Sequence, residues 1–113
     1  MTVLALDVGS RKHALAASDE GLCPEGEVAN EQAALAALFA RLATEDPGAW
    51  VVMEATGVYH WDAAMLAHAA GLRVAVLNPK VTANFAKALA VRSKTDPIDA
   101  RTLLAFGQRM PLT

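Results

Sequence analysis

Apolar residues along this chain follow two periods, and the switches between them outline the fold. Val3-Leu4-Ala5-Leu6 is an unbroken apolar run of strand length that closes on Asp7, and Gly9-Ser10 follows as a turn. Residues 11–18 read as a second strand, Asp19-Glu20-Gly21 as a turn, and about 25–29 as a short third strand. The period then changes. Asn30 reads as a helix N-cap with Glu31 in the first turn, and Leu35, Leu38, Phe39 and Leu42 recur at helical spacing, which predicts an amphipathic helix over 31–45. Asp46-Pro47-Gly48 breaks it.

Ala49-Trp50-Val51-Val52-Met53 returns to a continuous apolar run and, like the first, closes on an acid, Glu54. A helix is expected over 60–70 with Gly71 as its stop, then a core strand over 72–77 closed by Asn78-Pro79. The next helix carries Val81, Phe85 and Leu89, and the basic segment Arg92-Ser93-Lys94-Thr95 interrupts it. Asp96-Pro97-Ile98-Asp99 opens a last helix over 97–108, with Asp96 as N-cap and Pro97 as first helical residue. The order β-β-β-α-β-α-β-α-α, hairpin-linked strands followed by βα units, implies an α/β fold: one domain over 1–113, with a mixed sheet of about five strands flanked by helices. RNase H-like nucleases and recombinases use that order, and actin-like ATPases use variations of it.

Composition narrows the classes. The hydrophobic share is 54%, much of it alanine, yet no run approaches the ~18–20 apolar residues of a membrane span. The first residues carry no basic segment followed by a long apolar stretch, so no signal peptide is expected. Cys23 is the one cysteine, which excludes an internal disulfide and fits a reducing cytoplasm. Trp50 and Phe85 read as core, Trp61 as a partly buried helix residue, Tyr59 and His60 as candidate substrate contacts, and Tyr59 alternatively as a helix-start packing residue.

Net charge is −2, but its distribution is uneven. Residues 1–70 hold three Lys/Arg and ten Asp/Glu, a net −7, whereas residues 71–113 hold seven Lys/Arg and two Asp, a net +5. A basic second half is either a phosphate-facing surface or a set of solvated helix faces.

Two core strands ending in acids carry the candidate chemistry. Ligands of open α/β sheets gather beyond the carboxyl ends of the strands, so Asp7 and Glu54 converge if their strands are neighbours. Asp96 and Asp99 lie three apart at a helix start and share a face. Converging carboxylates repel unless cations sit among them, and Mg²⁺ suits such a set because it takes oxygen ligands and keeps waters. Each acid also has a structural reading: Asp7 as a turn former, Glu54 as a helix-start acid, Asp96 and Asp99 as helix-capping residues. Arg11, Lys12, Lys94 and Arg101 flank the acids and either hold phosphates or bridge to those acids.

Three segments, Leu6-Asp7-Val8-Gly9-Ser10-Arg11-Lys12-His13, Met53-Glu54-Ala55-Thr56-Gly57-Val58-Tyr59-His60 and Lys94-Thr95-Asp96-Pro97-Ile98-Asp99-Ala100-Arg101, resemble in order and spacing the DEDD transposases of the insertion-sequence-110 family. The resemblance covers the entire chain. It implies a RuvC-like, RNase H-like domain whose four acids, matched here by Asp7, Glu54, Asp96 and Asp99, are catalytic and bind Mg²⁺, with Mn²⁺ as a substitute. It further implies DNA as substrate, a structured bridge RNA as guide, and a homo-oligomer for the full-length protein. Family members continue into a coiled coil and a C-terminal domain with a nucleophilic serine. Ser10, Ser18 and Ser93 do not match that serine's motif, so the chain is expected to be the N-terminal catalytic domain and not to recombine DNA by itself. Two other readings remain. An actin-like ATPase fragment would need a second glycine-rich phosphate loop, which the sequence lacks, and a non-catalytic nucleic-acid module would not respond to divalent metal.

Overall fold

The computed structural model describes residues 2–19, 21, 26–89, 99–110 and 112. Its elements follow the expected order: β1 (Val3–Asp7), β2 (Lys12–Ala17), β3 (Glu27–Ala29), α1 (Gln32–Glu45), β4 (Trp50–Glu54), α2 (Trp61–Ala69), β5 (Arg73–Leu77), α3 (Pro79–Leu89) and α4 (Ala100–Arg109). The strands form one sheet in the order β3-β2-β1-β4-β5. β2 pairs antiparallel with both β1 and β3, while β1, β4 and β5 run parallel. This is the mixed five-stranded, RNase H-like arrangement expected from the element order. Among the described residues no helix is long and apolar enough to cross a membrane.

Strand periodicity distributes the side chains between two layers. Leu4 and Leu6 of β1, with Val51 and Met53 of β4, pack beneath α1 and α2 against Leu35, Leu38, Phe39, Leu42, Ala63 and Ala67. On the opposite face Val3, Val52 and Ala75 meet Leu104 of α4 and Leu112. The central strands are therefore covered on both sides, which is why β1 and β4 read as continuous apolar runs rather than alternating ones. α3 joins the second layer through an edge-to-face contact of Phe85 with Phe106, ring centroids 5.2 Å apart.

Helix ends show where local signals held and where they did not. Gly71, at φ +86°, takes the left-handed turn after α2; its N–H donates to the His68 carbonyl and the Leu72 N–H to the Ala67 carbonyl, a Schellman closure with Leu72 buried behind it. Asn78 caps α3, its Oδ1 accepting from the Lys80 N–H at 2.8 Å. Asn30, expected as the N-cap of α1, is not: Glu31 stands there without a side-chain cap bond. The Asn30 amide instead donates to the carbonyls of Ser10 and Tyr59, so two loops claimed the side chain that local pattern assigned to the helix. For the last helix the cap is Asp99, three residues past the expected Asp96; Asp96 and Pro97 lie outside the described residues. Trp61 is 59% exposed rather than partly buried. Trp50 and Phe85, read as core, are half-buried, and the Arg73 guanidinium lies 5.8 Å from the centroid of the Trp50 ring.

α4 lies so close to the sheet because it crosses the β1–β4 pair at a glycine. A Cβ on Gly107 would stand 2.9 Å from Val3 Cγ1 and 3.1 Å from Val52 Cγ2, and β-branched side chains held in a packed sheet cannot swing away. Helix propensity favours alanine over glycine by about 1 kcal/mol, but overpacking a core costs roughly 1–3 kcal/mol. Gly107→Ala is accordingly expected to lower the urea-unfolding free energy by about 1 kcal/mol, with Gln108→Ala on the exposed face near neutral as control; a gain in stability at position 107 would contradict the close approach.

Candidate active site

The parallel pairing of β1 with β4 aligns Ala5 with Val52 and Leu6 with Met53, so Asp7 and Glu54 occupy the next step of the same register. Alternation puts both on the layer of Val3 and Val52, the face that α4 covers. The expectation that the acids ending the first and fourth strands sit close together on one face is met. α4 packs on β1 and delivers its N-terminus, with Asp99, to the same end of the sheet.

Electrostatics tie the three together. Asp7 has its carboxyl pKa raised above the usual value, first by burial, then by the negative charge of Asp99, then by that of Glu54. Asp99 also serves its own helix. Its Oδ1 accepts from the Thr102 N–H and from the Thr102 hydroxyl, each at 2.9 Å, which closes the first turn of α4. Glu54 accepts a hydrogen bond on Oε2 from the hydroxyl of Thr82 in α3. Among the described residues neither Asp7 nor Glu54 has an ion-pair partner.

A divalent cation of the hard, oxygen-seeking kind fits this donor set. Among the described residues no three His, Cys, Asp or Glu side chains stand close enough to enclose one ion. Mg²⁺ needs no such cage, because it is commonly held by one or two carboxylates and retains its waters, and Asp7 with Glu54 supply two. Asp96, the fourth acid, and Lys94 lie outside the described residues.

The basic residues divide. Lys12 bridges Glu27 across β2 and β3 at 3.0 Å, with both side chains more than half exposed; such a pair is worth about 0–1 kcal/mol. Arg11 in the β1–β2 turn and Arg101 in the first turn of α4 are solvent-exposed. Beyond Glu54 the loop into α2 exposes Val58 and Tyr59, and α2 itself exposes Trp61 and Met65. Tyr59 is therefore not the packing residue of a helix start.

Two residues here carry roles that the sequence pattern did not single out. Thr82 is polar yet buried on the inner side of α3, a placement that only the docking of α3 reveals. His13 was legible in principle, since it lies two residues before Leu15 on β2 and so shares the core face. It is fully buried, and its Nδ1 accepts from the Gly9 N–H at 3.2 Å, which places the ring proton on Nε2. Burial pushes the His13 pKa down, partly opposed by the Asn30 side chain. A histidine depressed in the fold is neutral there but protonates in the unfolded chain near 6.5. Its contribution is thus fully present above that value and is lost as pH falls below it toward the folded pKa. Unfolding free energy should decline on acidification from about pH 7.5 to 5.5, by at most about 1.4 kcal/mol per pH unit for one proton, and His13→Gln should flatten that slope. Chemical denaturation across the pH series measures it.

Comparison with known proteins agrees with this geometry. A family model described as a transposase, of the DEDD type found in insertion-sequence-110 elements, matches residues 4–113. No curated protein matches the chain. With two core strands ending in acids on one sheet face and a match over nearly its whole length, the chain belongs to the DEDD transposase family of insertion-sequence-110 elements.

Proposed function

We propose that this transposase-family chain is a Mg²⁺-dependent catalytic domain that acts on DNA phosphodiesters, with Mn²⁺ able to substitute, within a transposition system guided by a structured RNA and built on a homo-oligomer. Asp7, Glu54, Asp96 and Asp99 are its metal ligands and catalytic residues. The observation that supports the reading is geometric: Asp7 at the end of β1, Glu54 at the end of β4 and Asp99 at the start of α4 come from three separate elements to one end of one sheet face. Asp7 and Glu54 are half-buried like charges beside the exposed Asp99, and acids brought together in this way are candidates for a cation-binding site.

When bound, the divalent ion supplies neutralisation of phosphate oxygens and a Lewis-acid contact to the scissile group. The chain's own part is to hold the carboxylates in place. β1 and β4, packed on both faces, fix the backbone of Asp7 and Glu54, and the α4 N-terminus holds Asp99 through its Thr102 bonds. Arg11, Lys12, Lys94 and Arg101 bind the DNA backbone, setting orientation without reading sequence. For Lys12 that role competes with its bond to Glu27.

Asp7→Asn separates repulsion from ligation. Asp7 has a raised folded pKa, so its ionised form opposes folding at neutral pH: the stability it contributes is present below 3.8 and lost as pH rises through the folded value. Metal-free Asp7→Asn should therefore melt at or above wild type at about pH 7, by about 0.5 kcal/mol or roughly 2–4 °C. Mg²⁺ at about ten times its dissociation constant should stabilise wild type by about 1.4 kcal/mol and the variant far less. Equal Mg²⁺-induced melting shifts in the two proteins would refute the metal reading and leave a non-catalytic nucleic-acid module.

Asp99→Asn tests the double use of that side chain. Asparagine caps as well as aspartate, so helix α4 and metal-free stability should be retained, while the response to Mg²⁺ weakens. For DNA contact, Arg101→Ala should weaken binding to duplexes of unrelated sequence alike and reduce the magnitude of the log Kd against log salt slope by about 1, as measured by fluorescence anisotropy.

A further inference from the structure

We infer that Thr82 is a positioning residue for Glu54, holding that carboxylate in the orientation in which it binds a divalent cation; the inference rests on the metal reading proposed above. Thr82 is only 1% exposed, although threonine in the first turns of a surface helix ordinarily faces water. Its hydroxyl reaches Glu54 Oε2 across 28 residues of sequence, from α3 to the end of β4. The same oxygen lies 3.0 Å from the Pro79 carbonyl, within its own helix. A hydroxyl has one proton, and an ionised carboxylate is the stronger acceptor, so the proton goes to Glu54 and the Pro79 carbonyl is the weaker competitor.

The geometry gives this bond a consequence beyond packing. Glu54 is the last residue of β4, where the strand holds its backbone but its side-chain torsions remain free. A bond to Oε2 from a buried group fixes the carboxylate plane. Oε1 has no hydrogen-bond partner among the described residues, which leaves it for a cation beside Asp7. Donors of this kind behind a ligating carboxylate orient it, and their loss typically weakens metal affinity about 10–100-fold. α3 itself is held in position by the Asn78 cap at its start and by Phe85 against Phe106.

The test compares wild type, Thr82→Val, Thr82→Ser and Glu54→Gln by Mg²⁺-dependent thermal unfolding, each variant referred to its own metal-free melting temperature. Valine keeps the volume and branching of threonine but cannot donate. The Mg²⁺ midpoint should rise about tenfold in Thr82→Val and return to within about twofold of wild type in Thr82→Ser. In the Glu54→Gln background, Thr82→Val should add no further shift in the midpoint. A purely structural Thr82 would lower the metal-free melting temperature of the valine variant and leave its midpoint at the wild-type value, which would overturn the inference while sparing the metal reading. Absence of any Mg²⁺ response in wild type would overturn both.

Discussion

Everything at this site depends on the parallel register of β1 against β4. Because strand side chains alternate with a period of two, a slip of one residue would send Asp7 to the layer of α1 and α2 and leave Glu54 facing α4. Burial on both faces prevents that slip. Leu4 and Leu6 fill the lower layer with Val51 and Met53, and Val3 with Val52 fills the upper, so any shift would displace large apolar side chains and bury an acid beneath α1. The hydrophobic core holds the register, and the register in turn brings two carboxylates together that would otherwise separate.

That juxtaposition works against stability. Burial and two neighbouring charges raise the Asp7 pKa, and among the described residues it has no ion-pair partner to compensate. The fold tolerates this because the remainder is well packed, with helix ends closed by Gly71, Asn78 and Asp99 and a close helix–sheet seat at Gly107. Asp99 joins the two sides of that balance. The same carboxylate that closes the first turn of α4 adds to the repulsion on Asp7, so the helix cap is also part of the acidic centre. Capping and ligation are rival explanations for such a residue in isolation, but they involve different lone pairs and are compatible in one side chain.

The neutral, buried His13 extends the theme to the opposite face. Its Nδ1 receives the Gly9 N–H in the turn that follows Asp7, so the backbone leaving the acidic centre is tied to the lower core. Asn30, which also borders that turn through the Ser10 carbonyl, ties in the Tyr59 loop. Loops from three parts of the chain are thereby joined near the carboxyl ends of the central strands.

Period and punctuation alone determined the elements. Continuous apolar runs at β1 and β4, helical spacing at Leu35, Leu38, Phe39 and Leu42, and a left-handed glycine after α2 are local signals, because each is set by the backbone and a few neighbours. The acids at the strand ends and the family motifs were equally legible in the residues themselves. What tertiary structure decided were the choices among competing partners. Asn30 carries a good capping side chain but bonds to two distant carbonyls, and α4 takes its cap from Asp99. Trp61 keeps helical spacing yet faces solvent, because burial depends on what packs over a helix face and not on the spacing within it. Thr82 meets Glu54 across 28 positions, a contact that no local pattern encodes, because it exists only once α3 has docked beside the end of β4.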